Sequence, residues 1–112
     1  MVSRWSTAQP RQLIRAFKKA LNHKGFSFIE VMSQCPVQTG RYLLGSGSPQ
    51  FNFQWLKDNC VTIDDVAKWG EVEEQGKIPV GDFLQVEKPE FMEEIQRMNQ
   101  RVKEAQAKGG DR

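Results

Sequence analysis

The chain has 112 residues, 38% of them hydrophobic and 27% charged, with a net charge of +2. That length holds one domain at most, and no apolar run approaches the roughly 18 residues of a membrane span. The first thirty residues hold no apolar core of a signal peptide, and two cysteines 25 residues apart, Cys35 and Cys60, signal neither a disulfide scaffold nor a self-contained metal site.

The first element expected is a helix from Pro10 to His23. Leu13, Ile14, Phe17, Ala20 and Leu21 recur at the spacing of one apolar face. Pro10 suits the first turn, Thr7 or a neighbour caps the start, and Gly25 supplies a left-handed stop. Phe26 to Met32 then reads as a strand, apolar on both faces in its second half like an interior strand of a covered sheet. Helix, glycine turn and strand form the second half of a βαβ unit, and no strand is expected before the helix. Ser33 to Arg41 is expected as a loop at the carboxyl end of that strand, where ligands bind in open α/β sheets.

Gly45 to Pro49 reads as a flexible connector. A short helix is expected from Phe51 to Asn59, and a second from a capping-box-like Thr62-Ile63-Asp64-Asp65 through Trp69. Lys77 to Val86 is strand-like but holds Pro79 and Gly81, which predicts an edge position or a bulge. A final helix from Pro89 to Ala107 carries the stripe Phe91, Met92, Ile95, Met98 and Val102. Glu90, Glu93 and Glu94 load its start, Arg97 pairs back to Glu93, and Lys108 lies before Gly109-Gly110.

Charge is distributed unevenly. No acidic residue precedes Glu30, whereas Arg4, Arg11, Arg15, Lys18, Lys19 and Lys24 are basic, and residues 71–112 carry a net charge of −3. Trp5 and Phe17 fall into apolar spacing rather than alternating with the bases. The basic quarter therefore reads as a solvated helix face against an acidic neighbour, not a nucleic-acid surface.

Few residues offer chemistry. His23 is the only histidine, and capping of a helix end accounts for it. Asp64 and Asp65 are adjacent, so on a helix they point about 100° apart, a poor geometry for an acid/base pair. Cys60 lies in an apolar stretch and reads as a buried small hydrophobe. Cys35 follows a strand directly, in the loop where ligands gather, and precedes Pro36, an arrangement shared with Cys-Pro cluster motifs.

The segment Ala20-Leu21-Asn22-His23-Lys24-Gly25-Phe26-Ser27-Phe28-Ile29-Glu30-Val31-Met32-Ser33-Gln34-Cys35-Pro36 resembles the late part of the beta (thiamine-diphosphate-binding) subunit of 2-oxoacid:ferredoxin oxidoreductases, the 2-oxoglutarate type in particular. Val2 to Leu13 upstream is similar to the family's entry into the same helix. Gly40-Arg41, Trp55-Leu56-Lys57, Gly76 to Gly81 and Glu87 to Phe91 follow its order downstream.

The resemblance implies an α/β fold. Residues 1–44 would be the terminal helix–strand–loop portion of a thiamine-diphosphate-binding three-layer domain. Residues 45–112 would be a mixed C-terminal extension with short helices, an edge strand and a final helix. The resemblance also implies that Cys35 is the fourth ligand of a 4Fe–4S cluster whose other three ligands lie in the N-terminal part of the subunit. The family's Gly-Asp-Gly segment for Mg²⁺ and thiamine diphosphate has no counterpart here. No catalytic or thiamine-binding residue is therefore expected in this chain, and the chain alone should be inactive.

The implied partners are the alpha subunit, the remainder of the beta subunit, and ferredoxin as electron acceptor in a CoA-dependent oxidative decarboxylation, all in the cytoplasm. The alternative is an independent small module for protein or nucleic-acid contacts. A part of a larger domain should leave apolar sheet edge and helix face exposed, whereas an independent module should have covered them.

Overall fold

The computed structural model describes residues 1–109, with side chains through Ala107. The expected role of Lys108 before Gly109-Gly110 thus lies outside the described residues. The architecture is α/β: strands β1 (Val2–Ser6), β2 (Phe28–Met32), β3 (Cys60–Thr62) and β4 (Ile78–Leu84) form one mixed sheet in the order β2-β1-β4-β3. Helix α1 (Pro10–Asn22) joins β1 to β2. It is followed by a π-helical segment (Pro36–Leu43), α2 (Pro49–Asn59), a 3₁₀ turn (Val66–Lys68), α3 (Trp69–Glu74) and α4 (Phe91–Gly109).

β1 corrects the first expectation. A strand does precede α1, and it pairs in parallel with β2 from Val2↔Phe28 to Ser6↔Met32, so β1-α1-β2 is a complete βαβ unit. The sequence Val-Ser-Arg-Trp-Ser conceals it, because two of its buried positions are serines (Ser3 and Ser6) rather than β-branched residues. β2 in turn is an edge strand with β1 as its one neighbour, not the interior strand expected, and Phe28 and Val31 on it are exposed.

β4 reverses the other strand assignment, running between β1 and β3 rather than at an edge. Its proline is accommodated by position. Ile78 to Val80 pair with β3 and Gly81 to Leu84 with β1, so Pro79 stands outside the β1 ladder where its missing N–H would matter. The expected bulge is present: Val2 faces Leu84 while Ser3 faces Asp82, which leaves Phe83 as the extra residue. β4 comes from residues 45–112 and β1 from residues 1–44, so the two stretches share one sheet.

The core is small. Met1, Trp5, Ala16 and Val80 are buried together, with Leu13, Ala20, Ile29, Cys60 and Ile78 packed around them. The face that was read as one stripe on α1 divides in two. Leu13, Ala16 and Ala20 meet the sheet, while Ile14, Phe17 and Leu21 are exposed, Leu21 at 86%. On the other face Arg4 bonds Glu30 at 2.7 Å and lies 4.6 Å from the centre of the Trp69 ring. Trp69 in turn meets Phe83 edge to face, with ring centres 4.7 Å apart.

Local signals before α3 also shift. Thr62 ends β3, and Asp65 caps the 3₁₀ turn by accepting from the Ala67 amide at 3.0 Å. At α4, Arg97 pairs with Glu94, not Glu93, at 2.8 Å. Glu93 reaches instead across to Lys24, also at 2.8 Å. Each partner shifts the other: the Glu93 carboxylate raises the Lys24 pKa, and Lys24 lowers that of Glu93. Gly25 makes this approach possible, because its φ is +98° and a Cβ there would stand 2.8 Å from the Lys88 carbonyl oxygen.

Candidate functional site

Cys35 lies just past β2, at the carboxyl end of the strand as expected, but the residues after it are ordered helix rather than loop. It is the N-cap of the π-helical segment, with φ −125° and ψ 92°, and the Gly40 amide donates to its carbonyl at 2.8 Å. Pro36 opens this segment at a position where a missing N–H costs nothing. The thiol is exposed and free. Hydrogen bonding to the Gln38 amide, then to those of Thr39 and Val37, lowers its pKa below the ordinary thiol value. Backbone amides at a helix start favour negative charge, so this geometry eases ionisation of the thiol.

The segment carrying Cys35 is fixed from below by a residue that sequence reasoning overlooked. Asn52 of α2 is buried and donates to the carbonyls of Ser46 and Ser48, each at 2.8 Å. Gly40 packs directly on it: a Cβ at Gly40 would fall 2.5 Å from the Ser46 carbonyl oxygen and 2.6 Å from the Asn52 amide. Gly45 to Pro49 is therefore a pinned turn between two helices, not a flexible connector. Ser48 also caps α2 through its hydroxyl to the Phe51 amide. The overlooked sign was an asparagine one helical turn after a Ser-Pro start, a position from which its amide reaches back to the turn's carbonyls.

The remaining candidates separate from Cys35. Cys60 opens β3 and packs beside the core, and burial raises its thiol pKa, with a smaller opposing effect from the Ser6 hydroxyl. His23 is the C-cap of α1, its Nε2 3.0 Å from the Met1 amino nitrogen. Asp65 is occupied as a cap. Of the six N-terminal bases, Arg4, Lys19 and Lys24 pair with Glu30, Asp82 and Glu93.

Among the described residues, no group of three or more His, Cys, Asp or Glu side chains converges to hold a metal ion. Cys35 fits the chemistry of one cysteine ligand, presented to solvent with its thiol pKa lowered, but not of a whole site. No helix among the described residues is long and apolar enough to cross a membrane.

Comparison with known proteins places this geometry in context. The 2-oxoglutarate synthase subunit KorB of Methanocaldococcus jannaschii is 45% identical over 102 residues, which are 91% of this chain and 37% of that protein. Subunits of the same name are 42% identical in Methanothermobacter thermautotrophicus and 37% identical in Methanothermobacter marburgensis. Each matches 84% of this chain, and 32% and 33% of its own length respectively. The chain thus spans about a third of the length of the curated relatives it matches. No protein-family model and no solved structure matches it. The chain is homologous to part of the subunit type that Ala20 to Pro36 resembles.

Proposed function

We propose, from this homology with 2-oxoglutarate synthase KorB subunits, that the chain is the C-terminal portion of the beta subunit of a 2-oxoacid:ferredoxin oxidoreductase of the 2-oxoglutarate type. It completes the α/β domain, supplies one cluster ligand and docks the alpha subunit, in an assembly that decarboxylates a 2-oxo acid with CoA in the cytoplasm. The observation that favours a portion over an independent module is the surface it leaves open. Ile14, Phe17 and Leu21 on α1, and Phe28 and Val31 on the edge strand β2, form uncovered apolar helix face and sheet edge.

On this reading Cys35 is the fourth ligand of a 4Fe–4S cluster completed by cysteines from the rest of the subunit. That cluster would relay electrons one at a time toward ferredoxin. The chain's own part is positional: the Gln38, Thr39 and Val37 amides hold the thiolate, and the Gly40–Asn52 contact fixes the segment that carries them. Thiamine diphosphate and Mg²⁺ would bind elsewhere in the subunit, since the segment that holds them is absent here. The chain alone therefore turns over no 2-oxo acid.

The test is the complete subunit carrying Cys35→Ser, reconstituted anaerobically with iron and sulfide. Loss or conversion of the reduced-state EPR spectrum and of the broad visible absorbance is expected. An unchanged 4Fe–4S spectrum would remove Cys35 from the ligand set. Independently, coding sequence in frame upstream of Met1 with cysteine pairs and a Gly-Asp-Gly segment is expected, and its absence would favour the independent module.

A further inference from the structure

The last element stands apart from the sheet. α4 is tethered at its start by Glu93 to Lys24, and residues 96–107 are exposed throughout. The molecule consequently measures 76 × 29 × 24 Å. Most of a helix's stability in a folded protein comes from packing of its apolar face rather than from propensity. Such a face is present and open: Phe91 is 77% exposed, and Met98 and Val102 are more than half exposed.

Its spacing is that of a coiled-coil seam. Phe91, Ile95, Met98, Val102 and Ala105 follow one another at steps of four, three, four and three residues, which places them at d, a, d, a and d of a heptad. The flanking positions then fall into two classes. On one side, at e, are the uncharged Met92, Asn99 and Gln106. On the other, at g, are Glu94 and Arg101.

Charge decides both partner and direction. In a parallel pair each g residue faces an e residue, and Glu94 and Arg101 would meet only uncharged side chains. In an antiparallel pair g faces g. With Phe91 opposite Val102 and Ile95 opposite Met98 of the second helix, Glu94 lies beside the second Arg101, and the two-fold axis repeats the contact. The surface is thus complementary to itself. The existing Arg97–Glu94 pair within the helix is exposed on both sides and contributes little, so it does not compete with this arrangement.

We propose that α4 is a self-association helix, pairing antiparallel with α4 of a second copy of this chain through the Phe91–Val102 seam and two reciprocal Glu94–Arg101 contacts. With a seam this short the dimer is weak and concentration-dependent. Its role is separate from that of Cys35 and does not rest on the cluster assignment.

Sedimentation equilibrium of the 112-residue chain, taken to about 0.5 mM to reach the range of weak complexes, tests it. A monomer–dimer equilibrium is expected for the parent. Glu94→Arg alone and Arg101→Glu alone each place like charges at both contacts, and each should weaken dimerisation about tenfold. An equimolar mixture of the two variants restores opposite charges, and its heterodimer should return to within about threefold of the parent. These positions are exposed, so the variants keep the fold, and unchanged circular dichroism verifies this. A parent that stays monomeric overturns the proposal and leaves α4 to a different protein. So does a dimer indifferent to either reversal, or one that mixing does not restore.

Discussion

Cys35 and Cys60 show how one residue type acquires two characters from its surroundings. At Cys35 the amides of Gln38, Thr39 and Val37 favour the thiolate, while at Cys60 burial favours the thiol. Alkylation by iodoacetamide, followed by peptide mass spectrometry across pH 6 to 9, should therefore label Cys35 at lower pH than Cys60. Equal profiles would show that the amides do not hold the Cys35 sulfur.

Gly40 carries the second prediction at this scale. Alanine gains about 0.5–1 kcal/mol over glycine from helical backbone entropy. Its methyl would stand 2.6 Å from the Asn52 amide and 2.5 Å from the Ser46 carbonyl oxygen, and overpacking of this kind costs about 1–3 kcal/mol. The clash prevails, so Gly40→Ala should lower Tm by several degrees and move the Cys35 alkylation profile toward that of Cys60. Combined with Asn52→Ala it should cost less than the two single changes added, because the second removes half the clash. The place of Cys35, just past a strand and before Pro36, was legible in the sequence. Gly40 and Asn52 were not, because their pairing is a contact between two helices that no local pattern encodes.

At the scale of elements, strong periodicity and breakers carried most of what could be read. α1 and α4 declare themselves by apolar spacing, α2 by its aromatics, and β4 by alternation around Gly81. Elements that depend on a neighbour did not. Three of the five residues of β1 are serine or arginine, and it becomes a strand because β2 and β4 flank it. β3, three residues long, exists through its pairing with β4. The position of β4 was misjudged for a related reason: a proline argues against an interior strand only where the adjacent ladder needs its N–H.

The tether of α4 lends itself to a pH experiment. Glu93 has a lowered pKa in the folded chain, so its contribution is present above the unfolded-state value and is lost as pH falls through the folded one. Lys24 has a raised pKa, so its share is present below its unfolded value and is lost only at strongly alkaline pH. Hydrogen exchange at the amides of residues 94–98 should thus quicken relative to the sheet on acidification through the carboxylate range. Glu93→Gln should show quick exchange at neutral pH already, and 0.5 M salt should reproduce part of the effect, because the pair is solvent-exposed. A Glu93→Gln chain that exchanges like the parent would show that the tether contributes nothing.

At the scale of the molecule, a compact chain of this length would have a radius of gyration of about 13 Å, whereas this one measures 21.8 Å. The excess belongs to α4, because every member of the buried cluster lies between Met1 and Val80. A chain ending at Pro89 should therefore keep its cooperative unfolding, with Tm within about 5 °C of the full chain, whereas one ending at Lys77 should show no cooperative transition. A folded 1–77 chain would contradict the sheet order. That order also sets a schedule. β4 is the last strand in sequence, yet it occupies the place between β1 and β3, two strands that have no bond to each other. In the order of synthesis β1, α1 and β2 precede β3 and can pair, while β3 waits as an unpaired ribbon. Contacts spanning nearly eighty residues must close before the sheet exists, which makes its formation slow relative to helix growth. A nascent chain stalled after β3 and before β4 displays the open edges of β1 and β3 that β4 will fill, and in that interval it is most exposed to chaperones and to mispairing with its own copies.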